Sequence, residues 1–116
     1  MGFGNHIRDL REKKREKDIS FSVRGLAGRL GKDPTYLSKV EREEVPPPTE
    51  EVIRILAKEL DQDPDILMVM SGRISKELEQ IISKRLDLFT KLIKELKDLP
   101  DHAIVRITRE VRDGDW

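Results

Sequence analysis

Asp61, Asp63 and Asp65 carry the first three spacings of a calcium-binding loop. Such a loop also needs a glycine at its sixth position and a glutamate at its twelfth. Those positions hold Ile66 and Gly72, so the chemistry expected of Asp63, which directly precedes Pro64, is the capping of a helix. His6 and His102 lie far apart and no cysteine accompanies them, so no zinc spacing is present. The chain shows no Ser–His–Asp arrangement, no phosphate-cradling glycine loop and no paired-carboxylate cleft. The expectation is a protein that is not an enzyme and carries neither metal nor cofactor.

What remains is recognition chemistry, concentrated in residues 26–41, LAGRLGKDPTYLSKVE. Leu26, Ala27 and Leu30 give one apolar face, and Leu37 and Val40 give another. Between them stand Gly31, suited to positive φ, and Asp33-Pro34, a cap followed by a first-turn proline. Two short helices across a tight glycine turn read as a helix-turn-helix, the element that lays its second helix in the DNA major groove.

Other helices must hold that pair. A first helix is expected over Phe3–Arg15, with Phe3, Ile7 and Leu10 on one face and Arg8, Arg11 and Lys13–Arg15 opposite. Residues 16–20, EKDIS, read as a loop, and Ser22 caps a second helix from Val23 to Leu30. The third runs from Pro34 to about Arg42 and is stopped by Pro46-Pro47-Pro48. Thr49 caps a fourth helix, Glu50–Leu60, whose Val52, Ile53, Leu56 and Leu60 share a face. Asp63-Pro64 opens a fifth, ending at Ser71-Gly72. After Ser75 one long amphipathic helix is expected, with Leu78, Ile81, Ile82, Leu86, Phe89, Leu92, Ile93 and Leu96 as its stripe. Leu99-Pro100-Asp101 stops it, and a last helix over about 101–112 carries Ala103, Ile104, Ile107 and Val111. With no strand pattern anywhere, the fold class is all-α: five helices over residues 1–70, a linker at 71–75 and a helical hairpin over 76–116.

Composition fits a small helical protein with one compact domain and an appendage. Of 116 residues, 40% are charged and only 4% aromatic, so the core must be modest and aliphatic. Net charge is zero, which by itself argues against a nucleic-acid partner. Its distribution argues the other way: residues 1–42 hold eleven Lys/Arg against six Asp/Glu, and residues 43–116 hold twelve against seventeen. No run of eighteen apolar residues and no signal-peptide core occur, and a cytoplasmic location is expected.

From Gly4 to Leu67 the chain resembles the phage-repressor, or XRE, family of helix-turn-helix regulators. IRDLREKK at 7–14, LAGRLG at 26–31, YLSKVE at 36–41 and IRILAKELDQDPDIL at 53–67 carry the likeness. The resemblance implies five helices, with the third in the major groove and the second bracing the DNA backbone. By position it makes Pro34, Thr35, Ser38 and Lys39 base-reading candidates. A lysine can donate to guanine O6 and N7, and a threonine can bond a base edge or pack on a thymine methyl. Candidates for backbone contact are Arg11, Ser22, Val23, Tyr36 and Arg42. The plainer alternative pairs Arg8 and Arg11 with Glu12 or Glu16, and Lys39 with Glu43. Three residues depart from the family pattern: Val23 where a glutamine is frequent, Glu43 where a glycine ends the third helix, and Glu44 where a base would suit a phosphate.

The C-terminal helices more weakly resemble the dimerising tail of Sin-type repressors. Leu78, Ile82, Phe89, Leu92, Ile93, Leu96, Ile104 and Ile107 are the dimerisation candidates. The alternative folds the hairpin back on the first and fifth helices of its own chain. The expected function is a sequence-specific regulator, a dimeric repressor of its own operon on a pseudo-palindromic site. The family analogy adds a phage, mobile-element or defence setting and release by a partner protein or metallopeptidase. A competing reading is an antitoxin-like or adaptor module whose helix-turn-helix has become a scaffold.

Overall fold

The computed structural model describes residues 2–116, which fall into two units, one running to Leu78 and one from Glu79 to Trp116. All the regular structure among the described residues is helical. The helices are α1 (Phe3–Arg15), α2 (Val23–Arg29), α3 (Pro34–Glu41), α4 (Glu50–Glu59), α5 (Pro64–Met70), α6 (Lys76–Lys84), α7 (Leu86–Leu96) and α8 (Asp101–Asp113).

The helix starts are set by local chemistry. Ser22 Oγ accepts the Gly25 N–H at 3.0 Å, Asp33 Oδ1 accepts that of Thr35 at 2.7 Å, and Thr49 Oγ1 that of Val52 at 3.4 Å. Asp63 Oδ1 accepts from Asp65 at 2.8 Å and Ile66 at 3.4 Å, which makes it the helix cap the sequence implied. Each bond satisfies an amide that has no partner inside its helix. Gly31 takes φ 66° at the end of α2. Ile19 and Ser20, the end of the segment read as a loop, form a 3-10 turn with Phe21, which is buried.

The core of the first unit draws on all five helices: Ile7 from α1, Leu26 and Ala27 from α2, Leu37 and Val40 from α3, Ile53 and Leu56 from α4, and Leu67 from α5. Each full burial of such an aliphatic side chain contributes about 1.5–3 kcal/mol. Two glycines allow helices to approach closely enough to share it. A Cβ on Gly4 would strike the carbonyl oxygens of Val40 and Glu41, so α1 meets the end of α3 backbone to backbone. A Cβ on Gly25 would strike the Ser20 carbonyl, so the 3-10 turn sits directly on α2.

Residues 71–75, expected as a linker, are attached to this unit. Ser75 is buried, the Arg73 guanidinium donates to the Pro48 carbonyl, and Glu50 Oε1 accepts the Lys76 N–H at 3.0 Å. The single long helix expected after Ser75 is two helices. The break falls at Arg85, with φ −139° and ψ 54°. A continuous helix would place Arg85 in the apolar stripe between Ile82 and Phe89, and the break removes it from that register.

The second unit is amphipathic but has no interior: no residue from Glu79 to Trp116 is buried. Ile82, Phe89, Leu96 and Ile107 are half-buried. Leu92, Ile93 and Ile104 keep 47%, 55% and 38% of their surface exposed.

Candidate nucleic-acid interface

The helix-turn-helix is formed by α2 and α3, anchored inward by Leu26, Ala27, Leu30, Leu37 and Val40. With Leu37 and Val40 turned to the core, the remaining faces of α3 carry Pro34, Thr35, Ser38 and Lys39. Thr35 and Lys39 are exposed, Pro34 and Ser38 half-exposed. Lys39 has no ion-pair partner among the described residues. The alternative pairing with Glu43 does not form. Glu43 takes φ 60° and its carboxylate lies against Gly2, at the start of α1.

The backbone-contact candidates divide. Ser22 spends its oxygen on the α2 cap, and Val23 is half-buried against the core. Tyr36 packs partly against the core, with Lys32 Nζ 5.9 Å from its ring centroid. Arg42 is exposed at the end of α3, its Nε donating to Glu44 Oε2 at 2.6 Å.

Arg11 is not available to a phosphate. It is only 3% exposed. Its Nε and Nη2 donate to the two carboxylate oxygens of Glu41 at 2.7 and 3.0 Å, and Nη1 to the Phe21 carbonyl at 3.1 Å. Hydrogen bonding to Glu41 raises the guanidinium's pKa further, against the opposing effect of burial. The pair ties α1 to α3 and to the 3-10 turn, so Arg11 helps to position α3. The sequence alone leaves this hidden, because Glu41 is thirty residues away.

Sequence reasoning also passes over Arg24. It is exposed on α2, two residues after the Ser22 cap, with no ion-pair partner among the described residues. Arg29 and Lys14, by contrast, are structural: Arg29 Nη1 lies 3.4 Å from Glu59 Oε2, and Lys14 Nζ 2.7 Å from Asp61 Oδ2. Both cations also stand over the Phe21 ring, at 4.2 and 4.8 Å from its centroid.

A capped helix pair carried on a five-helix core, with exposed polar residues on its second helix, is the arrangement of a helix-turn-helix. The helix-turn-helix family model HTH_3 matches residues 7–67, more than half of the chain. The chain belongs to the HTH_3 helix-turn-helix family. No curated protein and no solved structure matches it. Membership in HTH_3 makes the chain a DNA-binding transcriptional regulator, in a family of regulators and not of enzymes. The matched segment ends at Leu67, within α5, and therefore contains every base- and backbone-contact candidate but none of the dimerisation candidates. No helix among the described residues is long and apolar enough to cross a membrane.

Proposed function

We propose that this regulator is a homodimeric repressor that reads a pseudo-palindromic operator at its own promoter and acts by occluding it. The observation that carries the reading is α3 itself. Its inward residues are in the core, its start is capped, Arg11 and Glu41 fix its end, and its outward Thr35 and Lys39 are exposed. In this reading Lys39 donates to a guanine edge, while Thr35, Ser38 and the ring of Pro34 complete the base contacts. The backbone is held by the start of α2 at Ser22 and Val23, with Arg24, Tyr36 and Arg42 beside it.

One recognition helix reads only a few base pairs. Two copies about a two-fold axis read half-sites about one DNA turn, roughly 34 Å, apart or a multiple of it. Pairing of the second unit supports that geometry. Its apolar residues find no interior in one chain, and its eight basic and eight acidic residues over 79–116 set no net charge against self-association. A Sin-type pairing of tails is the form proposed. The DNA-binding part is then residues 1–78, and residues 79–116 form the dimerisation region. Release by a trans-acting protein or peptidase is the form that the family analogy offers.

A second reading has one observation in its favour. Arg8, Arg11 and Arg42 are all engaged by carboxylates of the same chain, which leaves fewer cations for DNA and suits a protein-binding scaffold. Footprinting on the DNA upstream of the gene separates the two. Two symmetric protected half-sites, lost with a log–log salt slope of about −0.9 per phosphate contacted, support the repressor. Absence of protection at low salt rejects it in favour of the scaffold. On a verified operator, Lys39→Ala is expected to relax preference at one base pair per half-site, at a cost of about 1–3 kcal/mol. An equal loss on all sequences would remove Lys39 from the base readers.

A further inference from the structure

Arg8 and Arg42 flank a recess of about 200 Å³ where α1, the first residue of α2 and α3 converge. Val23 and Ser38 also line it, and the buried Arg11–Glu41 pair closes its inner side. Both outer arginines are exposed, and each is held by a carboxylate of its own neighbourhood. Arg8 Nε lies 3.2 Å from Glu12 Oε1, and Arg42 Nε 2.6 Å from Glu44 Oε2. The inner cation is held in place by three of its five N–H groups, which donate to Glu41 and to the Phe21 carbonyl.

We propose that this recess is a phosphate seat for the DNA backbone, and that Glu12 and Glu44 are internal competitors occupying its two arginines until a phosphate displaces them. The inference rests on the placement of α3 in DNA proposed above. Two features give it physical content. First, the recess shares Ser38 with the base-reading face and Val23 with the start of α2, so a strand passing α3 crosses it. Second, both ion pairs are half-exposed, with side-chain exposures of 53% and 50% for Arg8 and Glu12 and 54% for each of Arg42 and Glu44. Exposed pairs of this kind are weak, and a phosphate oxygen can replace a carboxylate oxygen at a guanidinium without loss of geometry. The exchange is therefore feasible on every duplex but is never free. DNA that offers base contacts offsets its cost, and DNA that does not is left more weakly bound. Glu44, which stands out as an unfavourable residue in a DNA-binding segment, becomes a device against non-specific binding.

The test is a double-mutant cycle on the full-length protein, with a mixed-sequence duplex of about 30 base pairs as probe. The variants are Glu44→Gln, Arg42→Gln and the two together. All are surface changes, and unaltered thermal melts confirm the fold. Glu44→Gln is expected to tighten binding about two- to fivefold, the size of an exposed ion pair. Arg42→Gln is expected to weaken binding and lower the salt slope by about one. In the Arg42→Gln background, Glu44→Gln is expected to change nothing. Equal tightening in both backgrounds would mean that Glu44 merely repels DNA at a distance, and would overturn the competitor role while leaving DNA binding intact. No tightening in either background would overturn it equally. A wild-type protein that binds neither this duplex nor its upstream DNA at low salt would instead bring down the reading beneath it. The Glu12→Gln and Arg8→Gln pair repeats the cycle at the other side of the recess, with the same pattern expected.

Discussion

Arg11, buried in a two-bond pair with Glu41, ties α1 to the end of α3. Removing one partner of a buried pair leaves an uncompensated charge, so Arg11→Gln or Glu41→Gln is expected to cost about 3–5 kcal/mol. Urea denaturation checks this, and a loss below about 1 kcal/mol in both would show the pair to be incidental. Replacing both by apolar residues of similar volume should recover much of the loss, because the desolvated charges vanish together. DNA affinity in that double variant reports whether the pair also fixes the angle of α3. A residue's neighbours along the chain are what sequence shows best. Ser22, Asp33, Thr49 and Asp63 were legible as caps because each bonds an amide two or three residues away. Arg11 was not legible, because its partner arrives only with the tertiary fold. Lys39 lies between these cases: its outward position follows from helical spacing with Leu37 and Val40, and its lack of a partner follows from the turn of Glu43.

Among the elements, the start of α1 and the end of α3 meet backbone to backbone. Gly4→Ala would press a methyl group on the Val40 and Glu41 carbonyls, neither of which can move without shifting α3. A loss of about 1–3 kcal/mol is expected from such overpacking, read as a lower melting temperature. The start of α6 has a pH-dependent tie. Accepting the Lys76 N–H, and less strongly the Arg54 guanidinium, holds the Glu50 carboxyl below its usual range. A carboxylate depressed in the folded state stabilises above its unfolded pKa, and that contribution is lost as pH falls through the folded one. Amide exchange at Lys76 should therefore quicken as falling pH protonates Glu50, once intrinsic rates are divided out, and Glu50→Gln should abolish the dependence. An unchanged profile in that variant would mean that Glu50 does not protect this amide. The helices α2 to α5 were readable because each combines a side-chain cap with an apolar face, and α1 by its apolar face alone. The break in α6–α7 was obscured by the surrounding leucines and isoleucines. Its signal was a single residue, Arg85, at a position in the stripe where the period calls for an apolar side chain.

At the scale of the molecule, the two units differ in what a single chain can satisfy. The first buries an aliphatic core, and the second buries nothing. If the second unit completes itself against another copy, Leu92→Asp should halve the mass in solution. It should also weaken operator binding without altering any DNA-contacting residue, and leave the melt of the first unit unchanged. Equilibrium ultracentrifugation and a binding titration read both, and an unaltered mass and affinity in a folded variant would reject dimerisation through this face.

The exposed apolar face of Glu79–Trp116 also bears on how long a chain survives. A helical segment with no buried residue opens readily, and cleavage of open segments follows their population. Solitary copies should be trimmed toward Leu78 soon after synthesis, while partnered copies persist. Pulse-chase at two expression levels would show this as a half-life that lengthens with abundance. The regulator's quantity would then be governed by degradation of its unpaired form as much as by control of its synthesis.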